Sequence, residues 1–155
     1  MALRTIRVQD DPCLYKHCRP VEKFDKKLSE LIDDMFETMY KSDGAGLAAP
    51  QIGILRRIAV MDGGDRKIEL INPEILHSSG CFGGYEGCLS FPGKTGYVER
   101  ADLVRIRAYD RHGVPHEYEL HLFEARIVQH ELDHLDGIVY LSLVKDPPEG
   151  FHDEE

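Results

Sequence analysis

The sequence predicts an α+β fold, in which small mixed or antiparallel sheets pack around a central helix. Short strand-like runs fill the middle of the chain, and the second of two long helical patterns comes only after most of them. Strands and helices grouped in this way favour an α+β fold over alternating βαβ units. With 155 residues, 42% of them apolar, the chain has the length and composition of one ordinary globular domain.

Composition also bounds the domain organisation and the class of protein. We find no internal repeat or linker, so we predict one domain over residues 1–145 and a short acidic C-terminal tail over residues 146–155. A net charge of −9 argues against nucleic-acid binding, which normally needs a basic surface. No apolar run approaches the ~18 residues of a membrane span, and no block of signal-peptide type opens the chain. We therefore expect a cytoplasmic protein without membrane contact.

The four cysteines, at positions 13, 18, 81 and 88, contain no Cys-x-x-Cys pair. This spacing argues against a disulfide framework in an intracellular chain. We expect free thiols, most of them buried, with one candidate metal ligand among the four. Cys13, Cys18 and Cys81 match no motif, so we interpret them as structural thiols.

The first helix is predicted from about Asp25 to Lys41. Its apolar residues recur at helical spacing, at Leu28, Leu31, Ile32, Met35 and Met39. Asp25 is a suitable N-cap, and the Asp43-Gly44 pair ends the pattern. A glycine-containing loop is predicted next, over residues 44–51.

Strand-like runs follow this loop. They alternate or are rich in β-branched residues, and they lie at Arg57–Met61, Ile68–Asn72, Ile75–Cys81, Val104–Tyr109 and His116–His121. A turn over residues 110–113 joins the last two runs. A final strand-like piece is predicted at Ile138–Leu141.

A second long helix is predicted to begin near His121 or Leu122 and to end before Gly137. One row along this helix holds two apolar residues and then two histidines, namely Phe123, Ile127, His130 and His134. The apolar residues indicate that the row faces the interior. Buried imidazoles need partners there, because an unpaired buried polar group is costly.

Residues 130–134 of this helix read His-Glu-Leu-Asp-His. Residues i and i+4 share one helix face, so His130 and His134 can bind one metal ion from the same side. Glu131 can then take a proton from a water molecule on that metal. The central helix of the predicted fold is therefore a metal-binding helix.

The third protein ligand decides between two kinds of enzyme. Zinc peptidases with this helix motif take a downstream Glu or His, but Tyr140 stands where the longer peptidase pattern has its third histidine. Other downstream candidates lie mostly in the acidic tail. Upstream, Cys88 in the sequence Glu-Gly-Cys-Leu-Ser offers a thiolate and leaves a fourth position open for water. A Cys-His-His site is therefore favoured, with a zinc peptidase that cuts internal amide bonds as the alternative.

Three segments together resemble the peptide deformylase family, which removes the formyl group from N-formylmethionine at the start of new bacterial or organellar polypeptides. The family signatures are Gly-x-Gly-Leu-Ala-Ala-x-Gln, Glu-Gly-Cys-Leu-Ser and Gln-His-Glu-x-Asp-His. All three are complete here, at residues 44–51, 86–90 and 129–134. The resemblance covers nearly the whole chain. It implies that residues 1–145 are one catalytic domain whose partners are N-formylmethionyl nascent peptides.

The resemblance also implies the roles of individual residues. The implied ligands of one divalent metal ion, Fe(II) natively with Zn, Ni or Co as alternatives, are Cys88, His130 and His134. Glu131 is implied as the general base and then the general acid for attack by a metal-bound hydroxide. The Gln51 side chain and the Leu89 backbone N–H are implied to stabilise the oxyanion.

Substrate binding is implied along the glycine loop and beside the Cys88 motif. The peptide would lie extended beside Ala45, Gly46 and Gly87, in the manner of an added strand. Phe123 and Ile127 are candidates for the wall of the methionine pocket, although plain core residues would fit the same pattern.

Two further expectations concern the support of the site and its partners. Glu86 and Arg100 are implied to pair and brace the Cys88 loop. Some family members use a basic C-terminal helix at the ribosome, whereas this chain ends in an acidic tail. We therefore expect at most a transient contact with the ribosome. A non-enzymatic relative that binds metal or peptide is the second alternative.

Overall fold

The computed structural model describes residues 2–152 of the chain, so residues 153–155 of the predicted tail lie outside the described range. The helices are α1 (Lys26–Lys41) and α2 (Leu122–Leu135). The strands are β1 (Gly46–Ala48), β2 (Ile58–Asp62), β3 (Lys67–Ser79), β4 (Phe82–Glu86), β5 (Gly96–Arg100), β6 (Leu103–Tyr109) and β7 (Pro115–His121). Short 3₁₀ turns lie at Pro12–Tyr15, Ala49–Ile52 and Tyr140–Leu143. These helices and antiparallel sheets confirm the predicted α+β class.

The two helices pack on opposite faces of a five-stranded antiparallel sheet with the strand order β1-β2-β3-β6-β7. Strand β2 shows this most directly, because successive side chains of a strand point to opposite faces. Ile58 and Val60 belong to the apolar cluster that contains the buried face of α1. Ala59 and Met61 belong to the cluster that contains the buried face of α2. The helix with the histidines is therefore anchored against the sheet inside the core.

A separate two-stranded sheet, β4-β5, lies beside α2 and carries the Cys88 motif at the end of β4. Arg126 of α2 ties the two together, because its guanidinium donates to the Val98 carbonyl of β5 at 3.1 Å. A third apolar cluster includes residues of this sheet, of the loop after β4 and of the last 3₁₀ turn: Leu14, Phe91, Val98, Val139 and Tyr140. This arrangement brings the end of β4 against the helix motif.

Both helices run close to their predicted bounds. The Asp25 carboxylate accepts a hydrogen bond from the Leu28 backbone N–H at 3.0 Å, as an N-cap should. Helix α2 begins at Leu122, and Gly137 follows its end with a φ of 75°, a left-handed conformation that glycine adopts without strain.

The strands depart from the prediction in several places. The runs Ile68–Asn72 and Ile75–Cys81 merge into one strand, β3, which continues through Pro73 with a shift in its pairing register and ends at Ser79. The predicted loop over residues 44–51 contains β1 and the start of a 3₁₀ turn. The predicted strand Ile138–Leu141 is wrong, because a 3₁₀ turn begins at Tyr140. A short apolar run fits a buried turn as well as a strand, and here the run packs into the third apolar cluster.

The sequence does not predict β4 and β5, and β4 contains both Gly83 and Gly84. The Tyr97 ring of β5 lies over Gly83, where any Cβ atom would overlap the ring and its hydroxyl. The contact with the Tyr97 ring requires glycine at position 83. Because glycine is generally unfavourable in strands, the same residue lowers the strand propensity by which β4 could have been predicted.

All four cysteines lie in the described range and are free thiols. Cys18 is buried, Cys13 and Cys88 are partly buried, and Cys81 is exposed, so the expectation that most of the thiols are buried is wrong. Among the described residues, no helix is both long and apolar enough to cross a membrane.

Candidate active site

Three side chains with metal-binding atoms converge between α2 and the end of β4. The ligand atoms of Cys88, His130 and His134 all lie within 4.8 Å of one another. The Cys88 Sγ atom is 3.4 Å from His134 Nε2. The two histidines come from successive turns of α2, and Cys88 comes from the loop that follows β4. Thiolate sulfur and imidazole nitrogen are the donors that zinc, iron(II) and related divalent ions accept.

The two imidazoles are held differently. His130 Nδ1 lies 2.9 Å from Glu86 Oε1, a contact that leaves Nε2 available for a metal ion. His134 Nδ1 is buried and has no hydrogen-bond partner among the described residues. Burial and the neighbouring His130 lower the pKa of His134 well below its ordinary value. The neutral imidazole that this favours is the form that binds a metal.

Glu86 is the centre of a buried ion-pair network. Arg100 donates to both of its oxygens, at 2.8 and 2.9 Å, and Arg126 donates at 2.6 Å. Arg100 also donates to Asp133 at 2.6 Å. Burial alone would raise the pKa of Glu86, but the hydrogen bonds from Arg100 and His130 hold it well below its usual range. The predicted Glu86–Arg100 pair is therefore present and buried, directly behind His130.

Sequence reasoning missed Arg126, although a signal was available. Arg126 lies four residues before His130, so the two side chains share one face of α2. Its guanidinium lies over the Phe82 ring at 4.4 Å and bonds the same carboxylate as His130. Charged residues are rarely buried unless they are paired, so an arginine in register with the histidines predicts a buried acidic partner.

Glu131 lies within the site, and its buried Oε1 atom has no hydrogen-bond partner among the described residues. Burial raises the pKa of the Glu131 carboxyl to about 7. Its other oxygen, Oε2, lies against β1, where a Cβ atom on Gly46 would come within 2.5 Å. Glycine at position 46 is therefore what leaves room for this carboxylate.

Gln51 is almost fully buried and its amide is oriented by the backbone. The Ala48 N–H donates to Gln51 Oε1 at 2.9 Å. The amide nitrogen is thereby turned towards the Cys88 loop, 3.4 Å from Cys88 Sγ and 3.1 Å from Ser90 Oγ. Leu89, whose backbone N–H is the other predicted oxyanion donor, lines the cavity of the same site.

A cavity of about 380 Å³ opens onto these groups. Its wall contains every residue predicted to bind substrate, namely Ala45, Gly46, Gly87, Phe123 and Ile127. Phe123 is 47% exposed at the mouth, whereas Ile127 is 6% exposed and also belongs to the apolar core beneath α2. The structure thus brings the predicted residues to one cavity, and their individual roles stay predictions.

The downstream ligand that a zinc peptidase would need has no counterpart in the described part of the chain. Tyr140 stacks on the His130 ring, with centroids 5.7 Å apart, and its hydroxyl donates to the Lys94 carbonyl at 2.9 Å. Its role in this arrangement is to pack against the imidazole and to tie down the loop after β4. Cys88 is the third donor in the metal-binding cluster found among residues 2–152.

The contact between Gly46 and Glu131 gives a first testable prediction. Gly46→Ala should lower kcat for the reaction of this site by about 10²-fold, because the new Cβ displaces the carboxylate and small displacements of a catalytic group are that costly. The free energy of unfolding, measured in parallel, separates this effect from loss of the fold. Full activity in a folded Gly46→Ala protein would contradict the inference that the reaction depends on the Glu131 carboxylate lying where Gly46 leaves room for it.

Comparison with known proteins gives the family of the chain. The family model for polypeptide deformylase matches residues 3–149. Peptide deformylase of Agathobacter rectalis is 52% identical over 145 residues, which cover 94% of this chain and 92% of the relative. Peptide deformylase 1 of Bacillus subtilis is 51% identical over 146 residues, which cover 93% of this chain and 91% of that relative. The crystal structure of peptide deformylase from Thermotoga maritima matches with a TM-score of 0.92 at 42% identity, covering 94% of this chain and 100% of that one. The chain therefore belongs to the polypeptide deformylase family.

Proposed function

We propose that this chain is a metal-dependent hydrolase in which Glu131 moves the proton as the formyl group is removed from N-formylmethionine of newly synthesised polypeptides. Membership of the family assigns the removal of the N-formyl group. The observation that carries the finer proposal is the convergence of Cys88, His130 and His134 beside the cavity. Cys88, His130 and Glu131 line that cavity, and Glu131 Oε1 has no hydrogen-bond partner among the described residues.

The donor set fits one divalent metal ion. Three protein donors leave a fourth position for water, as catalytic sites of this type require. The carboxylate of Glu86 behind His130 is the kind of support that fixes the orientation of a metal-binding imidazole. A divalent ion bound there would supply Lewis acidity, which brings the pKa of water to ~7. We propose Fe(II) as the native metal, with Zn, Ni or Co as alternatives, since this donor set accepts all four.

Glu131 is proposed to accept the proton of the attacking water and to pass it to the amine that leaves. Glu131 is buried, and its Oε1 atom has no partner among residues 2–152. Both observations support this role, because a general base must present an unpaired oxygen to the proton that it takes. Gln51 is proposed to donate to the oxyanion through Nε2, which the bond from Ala48 already turns towards Cys88. The Leu89 N–H is proposed as the second protein donor.

The substrate is proposed to lie along the edge of the five-stranded sheet. Strand β1 is one of the two edge strands, and its Gly46 lines the cavity together with Ala45. An extended peptide can add to such an edge through backbone hydrogen bonds. Gly87 lies on the cavity wall, and the methionine side chain would contact Phe123 and Ile127.

The partners that we propose are the N-formylmethionyl ends of nascent chains. Contact with the ribosome would be transient, because the sequence of residues 146–155 is acidic, whereas RNA phosphates are bound by basic residues. A cytoplasmic location and the absence of nucleic-acid and membrane partners stay predictions from composition.

Cys88→Ala tests the proposed metal site against the peptidase alternative. We expect the variant to lose bound metal and formate release from formyl-Met-Ala-Ser, because it removes one of three ligands. Metal is measured by elemental analysis after anaerobic loading with Fe(II). Cys81→Ala is the matched control, since Cys81 is an exposed thiol outside the site, and it should retain both properties.

The same experiment distinguishes the two alternatives, a zinc peptidase and a non-enzymatic relative that binds metal or peptide. Metal and activity retained in Cys88→Ala would favour a ligand downstream of His134, as in a zinc peptidase. Metal-loaded wild-type protein that binds the peptide but releases no formate would support the non-enzymatic alternative and contradict the proposed function.

A further inference from the structure

The C-terminal segment after the last 3₁₀ turn is fastened to β5. The Lys145 backbone N–H donates to the Tyr97 carbonyl at 3.0 Å, and the Lys145 ammonium lies 2.6 Å from the Glu99 carboxylate. Val144 packs so closely over Gly96 that a Cβ atom there would overlap it. The segment that begins at Val144 is therefore packed against β5.

Phe151 brings this segment into a cluster of three aromatic rings. Its ring centroid lies 4.8 Å from that of Tyr97 and 6.0 Å from that of Tyr85, both with edge-to-face geometry. Tyr85 and Tyr97 are paired across β4 and β5, with centroids 6.1 Å apart. Tyr97 is 3% exposed, whereas Tyr85 is 46% exposed. Phe151 and Tyr97 thus pack on the Tyr85 ring, which stays partly exposed.

Tyr85 also lines the active-site cavity, which neither Phe151 nor Tyr97 does. It stands two residues before Gly87, and residues two apart on an extended chain lie ~7 Å from each other. A bound peptide advances ~3.3 Å per residue in the same conformation. A substrate that lies beside Gly87 with its formyl group at Cys88 therefore reaches Tyr85 within the two residues that follow its methionine.

We propose that Tyr85 is a specificity-determining residue that contacts apolar side chains in the two substrate positions after methionine, and that Phe151 is the positioning residue for its ring. This inference rests on the proposed function. The C-terminal segment would influence substrate selection without touching the substrate, because it supports the back of the ring that does.

The test compares two substrates, formyl-Met-Leu-Phe and formyl-Met-Gly-Gly, in steady-state formate release. Phe151→Ala should raise KM for formyl-Met-Leu-Phe about three- to tenfold, the range expected for loss of an aromatic contact. It should change kcat by less than twofold, and KM for formyl-Met-Gly-Gly by less than twofold. Phe151→Leu, which keeps an apolar side chain, should restore part of the loss.

A double variant tests whether Phe151 acts through Tyr85. Tyr85→Ala should raise KM for formyl-Met-Leu-Phe as well, and adding Phe151→Ala should have little further effect, because the two changes remove one interaction. Phe24→Ala is the matched control. Phe24 is a partly buried ring that packs on Tyr109 outside the cavity, so its loss should leave the ratio of the two KM values unchanged.

Several results would overturn the proposal. These are wild-type KM values for Phe151→Ala, an equal rise in KM for both peptides, or full additivity in the double variant. If the wild type releases no formate, the proposed function fails separately, and binding still tests the inference. The chain has no tryptophan, so the fluorescence of a Met-Leu-Trp peptide reports binding directly. Its Kd should rise by the same factor in Phe151→Ala, and an unchanged Kd would contradict the role of Phe151.

Discussion

Glu131→Gln is expected to lower kcat for formate release by about 10²–10⁴-fold, the usual contribution of a general acid–base residue. The amide has nearly the same shape as the carboxylate but cannot take the proton of the attacking water. Its Oε1 position makes no hydrogen bond to other described residues, so the substitution breaks no structural contact there. Metal content should stay at the wild-type level, because the ligands Cys88, His130 and His134 are untouched.

The control for this prediction lies on the same helix. Glu124→Gln replaces a carboxylate that pairs with Arg66 at 3.0 Å on the protein surface, and its kcat should remain at the wild-type level. Formate release and metal content measured on both variants separate proton transfer from metal binding. A metal-loaded Glu131→Gln protein with wild-type kcat would contradict the proposed role of Glu131. Loss of metal from the variant would instead show that Glu131 acts on metal binding rather than on proton transfer.

The sequence predicts this site more completely than the sheets around it, and the reason is physical. Helical periodicity and the Asp25 N-cap are local properties, so α1 and α2 can be recognised from short windows of sequence. The spacing of His130 and His134 is also local. Cys88 is distant in sequence, but two histidines alone are an incomplete metal-ligand set, and a thiolate is one of the donors that can complete it.

The features that were missed depend on contacts between distant segments. Strand β4 contains Gly83 because the Tyr97 ring crosses it, and no local propensity reports that approach. Tyr140 lies in an apolar run that suits a strand, yet it stacks on His130 and ties the Lys94 loop. Phe151 stands in a stretch whose composition predicts only an acidic tail, although its ring packs on Tyr97. In each case an aromatic ring makes the long-range contact.

Glu86→Gln is expected to lower the free energy of unfolding by about 3–5 kcal/mol, the usual cost of removing one partner of a buried ion pair. Glu86 is the carboxylate shared by Arg100 and Arg126, all of them at most 7% exposed. Arg100 keeps Asp133 as a counterion in the variant. Arg126 would keep only carbonyl acceptors, at Val98 and Phe82, so its buried charge would be uncompensated.

The matched control breaks an ion pair of the same chemistry on the surface. Glu74 pairs with Arg107 at 2.7 Å, and both side chains are more than 40% exposed, so Glu74→Gln should cost only about 0–1 kcal/mol. Urea unfolding of metal-free protein in the presence of a chelator gives both values without a contribution from bound metal. The double variant Glu86→Gln/Arg126→Gln should then lose less free energy of unfolding than the sum of the losses in the two single variants. Glu86→Gln alone already leaves the Arg126 charge without its counterion, so removing that charge offsets part of the loss. Equal effects of Glu86→Gln and Glu74→Gln would show that the network behind His130 contributes no more than a surface pair, and the bracing of the Cys88 loop would then have to come from the apolar cluster around Phe91 and Tyr140.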